Sequence, residues 1–203
     1  IVFMGMGEPL LNYANVLKTI NLLTDDLAFG LARRRVTVST SGIIPEIDRL
    51  KKDTNVSLAI SLHASNNELR NSIVPINRSY PMVDLLAACK RFSEGRDDDA
   101  VTIEYVMLND VNDSARDARD LVKCLEGLPS KVNLIPFNKF PGTNYTCSDM
   151  NTINTFRDIL MKAGIFTVTR KTRGDDIDAA CGQLVGKVVS KSARHQKYKT
   201  EIV

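Results

Sequence analysis

No run of 18 apolar residues occurs in this 203-residue chain, so it offers no membrane-spanning helix. The first residues carry no basic-then-apolar leader pattern. Internal repeats and low-complexity tracts are also missing. Only four cysteines are present, Cys89, Cys124, Cys147 and Cys181. They are widely spaced, with no Cys-x-x-Cys pair and no finger-like Cys/His set, which argues against a local metal site. Such sparse thiols suit the reducing cytoplasm, the expected location. There is no glycine-rich phosphate loop, which weakens the reading of a βα-barrel enzyme for phosphorylated metabolites. The chain opens directly on a strand pattern without an initiator Met, so a fragment lacking its N-terminal part is expected.

What is present reads as one α/β domain. Apolar residues make up 43% and charged residues 25% of the chain, enough for one substantial core. The net charge is only +3, but it is uneven. Basic residues cluster at Arg33-Arg34-Arg35, at Arg170, Lys171 and Arg173, and through a tail of about 185–203. Such clusters suit a phosphate-backbone partner or simply a solvated surface.

Strand and helix patterns alternate along the chain. Ile1–Met4 reads as a buried strand, followed by a helical face of Val16, Leu17, Ile20 and Leu23. Strand patterns recur at Arg35–Thr40, Val56–Ser61, Val101–Met107, Val132–Ile135 and Ile165–Thr169. Between them lie a short helix from Pro45, a helix opened by Pro81, a helix capped by Asn112 or Asp113, and one closed by Gly164. The segment leading to Tyr80 reads as irregular. This order predicts parallel βα units, wound as a full or partial barrel.

Polar residues fall at strand ends: Glu8, Ser39, His63 and Asn138. Each alone is an ordinary turn or cap residue. Four at equivalent positions predict convergence on one barrel mouth, where α/β folds bind ligands. Gly5-Met6-Gly7-Glu8-Pro9 adds a tight turn with one carboxylate at its tip. Cys181 lies between small residues, beside Gly182. Nearby cations favour its thiolate, and Asp175, Asp176 and Asp178 oppose it. Cys89 and Cys124 read as core thiols, and Cys147 as a loop thiol.

Taken together, these segments resemble one family. The matching motifs are Gly5-Met6-Gly7-Glu8-Pro9-Leu10, Arg34-Arg35-Val36-Thr37-Val38-Ser39-Thr40-Ser41-Gly42 and Ala59-Ile60-Ser61-Leu62-His63-Ala64. They continue with Ile73-Val74-Pro75-Ile76-Asn77, Asn133-Leu134-Ile135-Pro136-Phe137-Asn138, and Arg170-Lys171-Thr172-Arg173-Gly174 through Cys181-Gly182-Gln183-Leu184. In this order they resemble the radical S-adenosylmethionine methyltransferases of the RlmN/Cfr family, which methylate adenosine in large-subunit ribosomal RNA.

The resemblance implies an open, partial (βα)6 barrel, TIM-like, missing its first strand and cluster loop. Residues 1–203 would be a fragment of the radical-SAM catalytic domain. Its cofactors would be S-adenosylmethionine and a 4Fe-4S cluster. By position, Gly7 and Glu8 would bind the amino end of S-adenosylmethionine. Ser39, Ser61, Leu62, His63 and Asn138 would complete that site. Cys181 would carry the methyl group. In the family, a deoxyadenosyl radical takes hydrogen from the resulting S-methyl group, and the carbon radical adds to adenine. Implied partners are ribosomal RNA, with transfer RNA as a further candidate, and an electron donor for the cluster.

One feature departs from the family. Its Cys-x-x-x-Cys-x-x-Cys cluster motif does not occur in this sequence. A cluster needs thiolate ligands, so no metal ligand is assigned, and the chain alone is expected to hold no cluster and to be inactive. Adenosine carbon 2 is the expected target, with carbon 8 the alternative inside the family. A non-catalytic RNA-binding module is the alternative outside it.

Overall fold

Strands rich in β-branched residues alternate with amphipathic helices, and in the computed structural model they assemble into a single parallel sheet. The structure describes residues 1–96, 100–140 and 142–170. The strands are β1 (Val2–Phe3), β2 (Thr37–Thr40), β3 (Ser57–Ser61), β4 (Val101–Met107), β5 (Ser130–Pro136) and β6 (Phe166–Thr169). Their order in the sheet is their order in the chain, and every pairing is parallel. The helices are α1 (Tyr13–Thr24), α2 (Ile44–Asp53), α3 (Asn67–Ile73), α4 (Met82–Ser93), α5 (Ala115–Cys124) and α6 (Met150–Lys162). The result is an α/β fold, an open partial (βα)6 barrel.

The predicted helical faces lie inside. Val16 and Ile20 of α1 are buried, as are Leu85, Leu86, Cys89 and Phe92 of α4. So are Ala118 and Leu121 of α5 and Ile153, Phe156 and Leu160 of α6. Each fully buried side chain of this size contributes about 1.5–3 kcal/mol relative to exposure. In β3, consecutive Leu58, Ala59 and Ile60 are all buried, so this strand is covered on both faces.

Several expectations are corrected. Ile1–Met4 is not a buried strand. Among the described residues β1 pairs only with β2, and Val2 is 60% exposed. Neither Asn112 nor Asp113 caps α5. Ser114 does so, its hydroxyl accepting from Asp117 N while the Asp117 carboxylate accepts from Ser114 N. Asn112 is instead a fully buried brace. Its amide donates to the carbonyls of His63 and Val106, and its Oδ1 accepts from Leu108 N.

The segment before Tyr80 is also ordered. It holds α3 and a 3₁₀ turn, Pro75–Arg78. The organiser is Arg70, which is fully buried. Its Nε donates to the Leu62 carbonyl at 3.1 Å, and its Nη2 to the carbonyls of Ser41 at 2.7 Å and Ser61 at 3.1 Å. Its Nη1 donates to Asn77 Oδ1 at 2.8 Å. Asn77 in turn donates to Asn67 and Asn71. One guanidinium thus ties the tips of β2 and β3 to the helical segment that follows. Burial lowers its pKa to about 10, so it stays charged at neutral pH.

The turn after β2 is tight for a steric reason. Gly42 has φ +113°, and a Cβ there would lie 3.0 Å from the Leu85 side chain.

Replacing Arg70 by Met keeps the length and removes every donor. Four acceptors, two of them in fully buried hydrogen bonds, would lose a partner, at a cost of about 3 kcal/mol or more. The urea midpoint of Arg70→Met should fall accordingly. A loss below about 1 kcal/mol would contradict the stapling role.

Candidate functional site

The carboxyl ends of the strands surround a cavity of about 1200 Å³. Gly7, Glu8, Ser39, Ser61, His63 and Asn138 all line it. Glu104, Val106, Ile135, Phe137 and Arg170 line it as well. A far smaller hollow of about 170 Å³ lies among Ile20, Arg33, Lys52 and Asn55 and includes none of the predicted residues.

Gly7 has φ +86°, a left-handed conformation that turns the chain from β1 toward Glu8. Glu8 is half-buried and does two structural jobs. Its Oε1 accepts from Leu10 N at 3.0 Å, capping a short 3₁₀ turn. Its Oε2 accepts from Ser41 N at 2.7 Å, joining the tips of β1 and β2. Each carboxylate oxygen has two lone pairs, so both retain capacity toward the cavity. The hydroxyls of Ser39 and Ser61 are half-buried and make no hydrogen bond to another described residue.

His63 follows β3 with φ +62°, a conformation uncommon for a residue bearing a Cβ. Its Nδ1 accepts from Val106 N at 3.1 Å, which leaves the proton of the neutral ring on Nε2. Burial, and then the charge of Arg70, push its pKa down to about 4. The imidazole is therefore neutral at physiological pH.

Leu62 is not brought to the cavity. Its side chain lies in the core, its N–H donates to the Glu104 carbonyl, and its own carbonyl accepts from Arg70. Cys181 lies outside the described residues. Arg170, which directly follows β6, lines the cavity.

Glu104 was missed. It stands in β4 within an apolar strand, only 6% exposed, yet reaches the cavity. Its Oε2 accepts from Asn133 Nδ2 at 2.8 Å. Burial raises its pKa, and Asn133 and Arg170 oppose that rise. A charge inside an otherwise apolar strand was the signal for it.

The arrangement fits a ligand with an ammonium group and several hydroxyl donors. Carboxylates with open lone pairs and unpartnered hydroxyls line one wall, and apolar side chains line another. It therefore fits S-adenosylmethionine. Among the described residues, no group of three or more His, Cys, Asp or Glu could hold a metal, so these residues supply no ligand set for a 4Fe-4S cluster. Cys89 is buried, and its thiol is pushed up to about 12. Cys124 is half-buried and donates to the Ser65 carbonyl. Cys147 is exposed, in a loop that bridges to Leu108.

Comparisons with known proteins agree with this geometry. The Radical SAM superfamily model matches residues 1–122. The whole chain is 54% identical to the dual-specificity RNA methyltransferase RlmN of Alcanivorax borkumensis and covers 54% of it. The chain thus spans about half the length of that curated relative. A radical SAM methyltransferase from Sphaerobacter thermophilus superposes with a TM-score of 0.85 at 46% identity, over 90% of this chain and 54% of that one. A domain of pyruvate-formate lyase-activating enzyme from Bacteroides vulgatus matches in fold alone. Its TM-score is 0.64 at 16% identity, over 84% of this chain and 98% of that domain.

The depressed His63 pKa has a pH signature. The unfolded ring takes a proton near pH 6.5, and the folded ring only near pH 4. Between those values the unfolded state binds more protons, so His63's contribution to stability is lost as pH falls from about 6.5 toward 4. Asn tolerates the same backbone conformation without titrating. The stability difference between wild type and His63→Asn should therefore shrink between pH 7 and pH 5, measured by urea unfolding. A difference that does not change with pH would contradict a buried neutral imidazole.

Proposed function

The chain belongs to the radical SAM superfamily and, within it, to the RlmN/Cfr methyltransferases, and from that footing we propose that it is the catalytic domain of an RNA adenine methyltransferase. The proposed substrate is adenosine in large-subunit ribosomal RNA, methylated at carbon 2, with transfer RNA as a second substrate. The observation that carries this reading is the 54% identity over the whole chain to a dual-specificity RNA methyltransferase, combined with the polar cavity at the strand ends. A cytoplasmic enzyme that meets RNA and an electron donor there is the consistent setting.

In this reading S-adenosylmethionine would supply the methyl group and, on reduction, the radical chemistry. Glu8 would receive its ammonium group through the lone pairs left free by Leu10 and Ser41. Gly7 would let the main chain approach closely. Ser39 and Ser61 would bond its polar edges, and neutral His63 would offer Nε2–H without adding a positive charge beside a cationic ligand. Asn138 would close the far wall. The ligands of the 4Fe-4S cluster would lie outside the described residues, and no step is derived through it.

The proposed methyl carrier is Cys181. A soft thiolate is a good acceptor for a methyl group, and basic neighbours favour that form. The target base must leave its stack to reach a cavity of this kind, so an unpaired adenosine is the natural substrate. The basic residues around Arg170 would sit on the flanking phosphates.

Cys181→Ala in the protein that carries this chain should abolish methyl transfer to ribosomal RNA while leaving cofactor binding intact. Transfer of label from S-adenosylmethionine and mass mapping of the nucleoside read this directly. Undiminished transfer by Cys181→Ala would sink the carrier role. An 8-methyladenosine product would move the target from carbon 2 to carbon 8.

A further inference from the structure

Glu104 is the one buried carboxylate in the cavity wall that no sequence motif singled out. It sits in register with Ser61 on β3 and with Asn133 on β5, so these three residues form one layer across the sheet. Asn133 holds Oε2, and Oε1 has no hydrogen-bond partner among the described residues. No ion pair within 4 Å offsets its charge among the described residues. Oε1 is not among the buried side-chain atoms left without a partner, and Glu104 lines the cavity, so this oxygen is open to donors that arrive with a ligand.

The fold narrows which donors these are. Glu8 follows β1, and Glu104 lies in β4, three strands further along the sheet. Next to Glu104, Ser61 presents a hydroxyl with no partner among the described residues, which gives an adjacent carboxylate and hydroxyl. That pair matches the two neighbouring hydroxyls of a ribose, a sugar that acidic side chains commonly grip. Toward the mouth, Val106, Ile135 and Phe137 form the apolar wall that suits the faces of a purine. We infer that Glu104, together with Ser61, takes the ribose hydroxyls of the bound nucleoside and is a specificity residue of this site. Asn133 is its positioning residue, fixing the carboxylate so that Oε1 turns to the ligand. The inference rests on the proposed S-adenosylmethionine site.

Equilibrium dialysis with S-adenosylhomocysteine tests it, alongside the 2′-deoxy, 3′-deoxy and 6-deamino forms of that ligand. Wild type should bind the deoxy forms about tenfold or more weakly than the parent, the scale of one hydrogen bond to a charged group. Glu104→Gln should weaken the parent by a similar factor and bring the deoxy forms close to it. Asn133→Ala, which keeps the carboxylate, should show the same trend more weakly. Unfolding midpoints identify any variant that fails to fold, and Glu104→Asp then serves instead. If Glu104→Gln discriminates against the deoxy forms as wild type does, the inference is overturned and the cofactor site stands. If the discrimination it loses is against the 6-deamino form, the ribose assignment is overturned. If wild type binds none of these ligands, the cofactor reading falls as well.

Discussion

A charge without a counter-ion organises this molecule. Arg70 is fully buried, yet among the described residues it meets no carboxylate; three main-chain carbonyls and one amide oxygen share its positive charge. Such burial is tolerable because every oxygen is fixed and close. The carbonyls belong to Ser61, which ends β3, and to Ser41 and Leu62, which directly follow β2 and β3. Fixing them sets where the two strands stop and where the following turns begin. The ring of His63, next in the chain, lies close enough to that guanidinium for the charge to help keep it neutral.

The cavity wall follows from this staple. Strand tips are normally loose, because their last hydrogen bonds face solvent. Here Glu8 ties the turn after β1 to the end of β2, Arg70 ties the ends of β2 and β3 together, and Asn112 ties His63, two residues past β3, to β4. Each tie consumes main-chain groups and leaves side-chain groups turned inward. Glu8 keeps open lone pairs, Ser39 and Ser61 keep open hydroxyls, and Glu104 keeps an open oxygen. A rigid rim with unsatisfied acceptors is what preorganised binding of a polar nucleoside requires. Structural and ligand-facing roles fall on the same few residues.

Much of this was legible in the sequence, for identifiable reasons. Apolar runs such as Val56–Ile60 and the helical spacing of Leu85, Leu86, Cys89 and Phe92 report burial directly. Polar residues at successive strand ends report a shared mouth, so Glu8, Ser39, His63 and Asn138 could be grouped before any coordinates. Residues whose roles depend on distant partners stayed hidden. Nothing beside Arg70 in the chain announces that it will reach Ser41. The apolar spacing near Asn112 fitted a helix cap equally well, and only its carbonyl and amide partners distinguish a brace. Glu104 was passed over because its strand is otherwise apolar. The apolar composition of Ile1–Met4 suggests burial, but burial depends on neighbours, and among the described residues β1 has one on a single side. Leu62 was assigned with its motif neighbours, although strand alternation turns its side chain toward the core.

The central claim is that the tips of the strands form one nucleoside-binding wall. Deuterium exchange of the chain with and without saturating S-adenosylhomocysteine tests it most directly. The account predicts slowed exchange together in residues 5–11, 39–42, 61–64 and 104–108, which belong to four separate segments joined only at the cavity. Exchange unchanged in those segments, or slowed only around Ile20, Arg33 and Lys52 at the smaller hollow, would contradict it.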